Sequence, residues 1–352
     1  MIGELLPARV EPSTAGSDYW SRYHELRRVR QIETRPDDPL RPDEVEEQQI
    51  KREDPFEFKY RYEISEGGTM LSSFGGQTLR PTSPEYESNK HLFWADIYVR
   101  PDRRRQGIAT MWLPVMVELM DRHGCTVLGI GTEEEAGHAF LRWLGAEPKL
   151  SGAENRLKLA DVDWAMVRRW VDEGGRRSPH TRLEVHDAPM SDDVLKDFAP
   201  QLSVMLNTIP FEELDHGDII VTPAQIREWE ARMAMSGEVV HTLLTRESDG
   251  EISSITDVNW APYRPAIIHQ QFTGVLPSAR GRGLGKWIKA AMLLHLREVH
   301  PQAEWISTDN AGSNAPMLGI NKKLGFRQYR AATEYQVTRD AIAAKLEALA
   351  AI

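Results

Sequence analysis

Val275-Leu276-Pro277-Ser278-Ala279-Arg280-Gly281-Arg282-Gly283-Leu284-Gly285-Lys286 closes an apolar, β-branched run (Ala266 to Val275) and opens a helix-period run from Leu284 to Val299. Strand, glycine-rich turn, helix: that order leaves backbone N–H groups at a helix N-terminus without intrahelical partners. Together with the helix dipole they make an anion site. Gly281, Gly283 and Gly285 remove Cβ atoms where a phosphate has to approach the main chain. Arg280 and Arg282 place guanidinium forks beside it, which suit phosphate oxygens. The stretch reads as a pyrophosphate cradle. Taken alone, it equally fits a glycine-rich strand-to-helix turn with exposed arginines.

The spacing is neither of the common nucleotide loops. A P-loop needs a Gly-Lys-Ser/Thr ending, and no hydroxyl follows Lys286; a dinucleotide fingerprint needs Gly-x-Gly-x-x-Gly. The pattern does, however, occur twice. Val99-x-Pro101 matches Val275-x-Pro277, and Arg104-Arg105-Gln106-Gly107-Ile108-Ala109-Thr110 matches the run from Arg280 in its Arg-x-x-Gly-x-small spacing. Each copy continues into a helix-period run (Ile108–His123, Leu284–Val299) and a short apolar strand (Thr126–Ile130, Glu304–Ser307). A second helix then ends in Leu144-Gly145 or Leu324-Gly325. Four elements recurring in one order mark an internal duplication. Pro114 is expected to kink the first copy's long helix.

Both halves resemble acyl-CoA-dependent N-acyltransferases of the GNAT superfamily, in the tandem type to which mycothiol synthases belong. The resemblance implies an α+β fold of two tandem domains. Each would carry a mixed, mostly antiparallel sheet, splayed at its centre and flanked by helices. The expected boundaries are 1–160, a connecting helix and linker at 161–181 around Gly174-Gly175, a second domain at 182–338, and a C-terminal helix at 339–352. The second half reads as the closer relative, through Thr308-Asp309-Asn310 and Asn314-Ala-Pro-Met317 to Leu324-Gly325-Phe326. By resemblance, Val275 offers a backbone group to pantetheine, Asn310 and Asn314 lie along the CoA arm, and Arg280 to Lys286 hold the pyrophosphate. Val99 and Arg104 to Thr110 would do the same in the first half. There Glu133-Glu134-Glu135 replace the asparagines, so the second half is expected to carry the chemistry.

Acyl transfer to an amine needs a route for the amine proton and donors for the developing oxyanion. Asn321 stands where family members often place a tyrosine that protonates the leaving thiolate, and Leu141 stands there in the first half. His269 has a suitable intrinsic pKa for a base, and equally suits a filler of the sheet face. The acidic loop with Glu212, Glu213, Asp215 and Asp218 would attract a cationic acceptor, Glu213 being the catalytic candidate; a solvated charge run reads the same way.

Composition bounds the rest. The 352 residues allow two or three domains. A formal net charge of −10 argues against general nucleic-acid or anionic-membrane binding. The single cysteine, Cys125, permits neither an intrachain disulfide nor a cysteine zinc site and fits the cytoplasm. No 18-residue apolar run suggests a membrane span. The expectation is an N-acetyltransferase that moves acetyl from acetyl-CoA to a primary amine of a small cationic metabolite or antibiotic. Transfer would be direct in a ternary complex, without metal, in a monomer or homodimer. The alternative is a non-catalytic acyl-CoA-binding or sensing module.

Overall fold

In the computed structural model, which describes residues 5–351, the chain divides into two units whose limits do not follow the repeat. Unit 1 comprises Met1–Leu150, Glu212–Asp218 and Ala332–Ile352; unit 2 comprises Ser151–Phe211 and Ile219–Ala331. The expected 182–338 segment therefore gives two pieces to unit 1. Residues 1–4 and 352, ends of the expected tail and C-terminal helix, lie outside the described residues.

The first half of the chain runs β1 (Ala8–Val10), α1 (Ser17–Thr34), α2 (Asp43–Lys51), β2 (Glu57–Glu66), β3 (Thr69–Leu79), α3 (Tyr86–Asn89) and β4 (Leu92–Val99). It continues with α4 (Leu113–His123), β5 (Val127–Thr132), α5 (Glu135–Leu144) and β6 (Glu147–Lys158). The second runs α6 (Trp164–Arg177), β7 (Arg182–Asp187), α7 (Asp192–Leu206), α8 (Pro223–Met235), β8 (Val239–Arg246), β9 (Ile252–Trp260) and β10 (Ile267–Val275). After these come α9 (Leu284–Val299), β11 (Trp305–Ala311), α10 (Ala315–Leu324), β12 (Arg327–Thr338) and α11 (Arg339–Ala350).

In unit 1 the strands follow the order β1-β2-β3-β4-β5-β12, and only β4 with β5 is parallel. Its core gathers Phe74, Phe93, Trp112, Met116, Leu119 and Leu128. The fully buried Trp112 donates its indole N–H to Ser72 Oγ at 2.9 Å, so the one polar atom of that ring is satisfied inside. In unit 2 the order is β6-β11-β10-β9-β8-β7, with β10 and β11 parallel. The final strand of each sheet thus comes from the other half of the sequence: β12 pairs with β5 from Thr333 to Thr338, and β6 pairs with β11 from Gly152 to Lys158.

Two expectations change. Pro114 does not kink a long helix: residues Ile108–Trp112 form a 3₁₀ turn, and α4 starts at Leu113 with Pro114 in its first turn. A first-turn proline lacks only an N–H that has no intrahelical partner there. Gly174 and Gly175 are not a linker but lie inside α6. A Cβ at Gly174 would overlap the Trp287 indole, so glycine lets α6 lie against α9.

Candidate active site

In unit 1, β4 and β5 pair from Leu92/Val127 to Ala95/Ile130 and then part. β5 stays bound to β12 on its other side, so the gap opens between Asp96–Val99 and Gly131–Thr132. A cavity of about 710 Å³ fills this gap, reached by the end of α1, the loop at Arg103–Arg105 and Gly107–Thr110, and much of α5.

The loop has the conformation its glycine requires. Gly107 sits at φ 81°, in the left-handed region that side chains resist. It caps the 3₁₀ turn. The N–H groups of Gly107, Ile108 and Ala109 have no hydrogen bond among the described residues, while that of Thr110 goes to the Gly107 carbonyl at 3.1 Å. Three consecutive unbonded donors on residues that line a cavity suit an anion. The arginines divide their work. Arg104 donates to Glu33 at 2.6 and 2.8 Å and to the Val99 carbonyl; Arg103 donates to Glu66 at 2.7 Å. Arg105, exposed at φ 61°, makes no ion pair among the described residues.

Charge in the cavity is unevenly matched. Arg30 forks onto Asp96 at 2.7 and 2.8 Å and keeps that carboxyl below its usual range against the opposing effect of burial. Arg35 holds Glu133 at 2.8 Å, and Tyr98 donates its hydroxyl to Glu33 at 2.8 Å. Two acids remain without an ion pair among the described residues, Glu134 and Glu334. Burial, then the like charge of Glu33, pushes the Glu134 carboxyl up; burial alone does so for Glu334. Glu334 comes from β12 and stands opposite Gly131, at the point where β4 leaves β5. A Cβ at Gly131 would sit 2.6 Å from Glu334 Oε1, so that glycine makes room for the carboxylate. Leu141, on α5, forms apolar wall.

Unit 2 repeats the loop. Gly281 and Gly283 lie at φ 82° and 86°, and α9 runs unbroken from Leu284. The N–H groups of Gly283, Leu284 and Gly285 are unbonded among the described residues. Its cations are more committed: Arg282 is held by Glu247, Thr181 and Ser178, and Lys286 lies over the Trp170 ring at 5.6 Å. Arg280 is exposed and makes no ion pair among the described residues. A Cβ on Gly285 would touch Val275 and Ile320 at 3.5 and 3.4 Å.

The other residues singled out from the sequence scatter. Asn321 Nδ2 donates to Asn310 Oδ1 at 2.8 Å, bringing those two together, and its own Oδ1 is buried without a partner. Asn314 spends its side chain capping α10 through the Met317 N–H. His269 Nδ1 faces Ser307 Oγ across the parallel pair. Glu213 lies in unit 1, where its N–H donates to the Lys149 carbonyl at 3.0 Å. The rest of that loop is fixed there by Gln336 on Asp215 and Asn89 on Gly217. Arg30, Glu33 and Glu334 do not stand out in the sequence. A charged face near the end of α1 is visible there, but nothing local ties Glu334 to a cavity built almost entirely from the first half.

The Acetyltransferase (GNAT) family model matches residues 20–146, the half that holds the cavity. The match thus falls on the first repeat, whereas the asparagine-bearing segment makes the second the expected closer relative. No curated protein matches the chain. Among solved structures, a tandem GNAT protein from the clavulanic acid biosynthesis pathway is similar with a TM-score of 0.73 at 19% identity, covering 96% of this chain and 99% of that one. A GCN5-related N-acetyltransferase from Sphaerobacter thermophilus gives a TM-score of 0.62 at 12% identity, covering 95% and 96%. No helix among the described residues is long and apolar enough to cross a membrane. Residues 20–146 thus match the Acetyltransferase (GNAT) family model, and the chain as a whole has the fold of tandem GNAT proteins.

Proposed function

We propose that the protein is an acyl-CoA-dependent N-acetyltransferase that takes acetyl-CoA in the unit 1 cavity and transfers its acetyl group to a primary amine of a small cationic acceptor. The observation that carries this reading is the gap between β4 and β5, open beside three unbonded N–H groups on the Gly107 turn. A pyrophosphate fits those donors, with Arg105 as an added charge, and the pantetheine arm fits between the diverging strands. The two carboxylates left over, Glu134 and Glu334, favour a cation as second substrate. Sequence alone favours the second half for the chemistry; the cavity and the family match favour the first.

In the proposed reaction the neutral amine nitrogen attacks the thioester carbonyl carbon, the C–S bond breaks, and CoA leaves as thiolate. The amine proton goes to Glu334, whose raised pKa makes it a stronger base than an exposed glutamate. Leu141 offers no proton to the sulfur, so the thiolate takes one from solvent. The same leucine favours a second reading, an acyl-CoA-binding module without turnover. Free-thiol release from acetyl-CoA with a panel of small amines, beside calorimetric titration of acetyl-CoA, separates the two. Turnover supports transfer; binding without turnover on any amine supports the module. Absence of binding removes both.

A further inference from the structure

Unit 2 holds a cluster of imidazoles that acetyl transfer does not use. Asp187 ends β7, His241 lies on β8, and His295 and His300 lie on α9 and just beyond its end. His295 is roughly 16 Å along the helix axis from Leu284, at 1.5 Å per residue, so the cluster is well removed from the Gly283 turn. His241 is 4% exposed and His300 7%, whereas the Asp187 side chain is 58% exposed.

The two nitrogens of His241 face different surroundings. Its Nε2 lies 2.9 Å from His300 Nε2, a spacing that holds one shared N–H. His300 is itself fixed by stacking on Trp260, with centroids 4.5 Å apart at 19°. The Nδ1 of His241 faces two groups that offer lone pairs, Asp187 Oδ1 at 2.5 Å and His295 Nε2 at 3.3 Å, and the third edge, His295 Nε2 to Asp187 Oδ1, is 4.0 Å. A single proton can satisfy one of these contacts. A divalent cation bound to all three satisfies the whole triangle.

The geometry points to a transition-metal site formed by Asp187 Oδ1, His241 Nδ1 and His295 Nε2, suited to Zn²⁺, with a fourth position open to solvent. Tetrahedral zinc with bonds of about 2.0–2.2 Å sets its ligand atoms about 3.3 Å apart. The three observed edges straddle that value, and the carboxylate, which has to shift to even them out, is the exposed member. Two imidazoles and one carboxylate select a first-row transition ion over Mg²⁺ or Ca²⁺, which want oxygen. An N–H shared between His241 Nε2 and His300 is the outer contact that orients a metal-ligating histidine. With no cysteine pair in the chain, its sequence points away from metal. The ligands here are 54 residues apart at each step along the chain, on three different elements.

The test uses the full chain stripped with a chelator and titrated with Zn²⁺ by calorimetry. One equivalent per chain is expected, with a rise in melting temperature. Co²⁺ in place of Zn²⁺ should give the visible absorption of a four-coordinate site. Asp187→Asn and His295→Gln, both at the solvent edge, should each weaken binding at least tenfold while melting like the parent in chelator. His241 is too buried to serve as the test. No saturable 1:1 binding, or binding equal in both variants and the parent, would overturn the site and leave only the hydrogen-bonded contact of His241 with Asp187.

Discussion

Lys289 Nζ donates to Gln270 Oε1 at 2.6 Å in the interior of unit 2, with no carboxylate paired to it among the described residues. Gln270 in turn donates to Thr256 and Thr273 hydroxyls, and the Phe326 ring lies 5.4 Å from the ammonium. Lys289 is 2% exposed, and burial pulls its pKa down to about 7. In the unfolded chain it keeps an ordinary value of about 10.4. Between these values the unfolded state holds more protons, so stability rises with pH across that window. Below about 7 the fold carries a buried charge. Lys289→Met should raise stability most at pH 6 and leave little difference by pH 10, measured by urea unfolding across the range. A parent and variant with parallel pH curves would show that Lys289 is not the source.

Gly107→Glu should weaken acetyl-CoA binding in unit 1 at least 100-fold. The new side chain has to adopt φ 81° and sets a carboxylate against the three N–H groups that would meet a diphosphate. Calorimetry reads the affinity, and a melting curve confirms the fold. Retained affinity would place the diphosphate elsewhere.

Glu334→Gln should reduce kcat by about 10²–10⁴-fold with little change in acetyl-CoA affinity. Burial raises the pKa of this carboxyl, so its base form accumulates only above the usual glutamate range. The parent rate should therefore climb with pH through that raised value and level off, and the limb should vanish in the variant. Gly131→Ala, which would crowd Glu334 Oε1, should lower the rate in the same direction. An unaltered profile in both variants would take Glu334 out of proton transfer.

Two adjacent glycines in α6 should respond oppositely to alanine. At Gly174 the new methyl would collide with Trp287 of α9, and a loss of about 1–3 kcal/mol is expected. At Gly175 a Cβ would meet nothing within 4 Å, so Gly175→Ala should add about 0.5–1 kcal/mol through helix propensity. Chemical denaturation of both variants measures the difference, and equal effects would refute the packing role given to Gly174.

What the sequence determined by itself was local. The left-handed turns at Gly107 and Gly283, the caps at Ser191, Thr222 and Asn314, and the repeat of strand, turn and helix all follow from conformational preferences and hydrogen bonds within a few residues. So did the tandem fold, because two copies of one pattern require two copies of one sheet. The tertiary structure decided everything that depends on meeting partners far along the chain. The exchange of β6 and β12, the seating of Glu213 in unit 1, the arrival of Glu334 in a cavity of the first half, and the joining of Asp187 to His241 and His295 are of this kind. Strand pairing is set by main-chain hydrogen bonds available to any sequence, and a carboxylate's pKa by what buries it. Neither quantity is written in the residue's own neighbours.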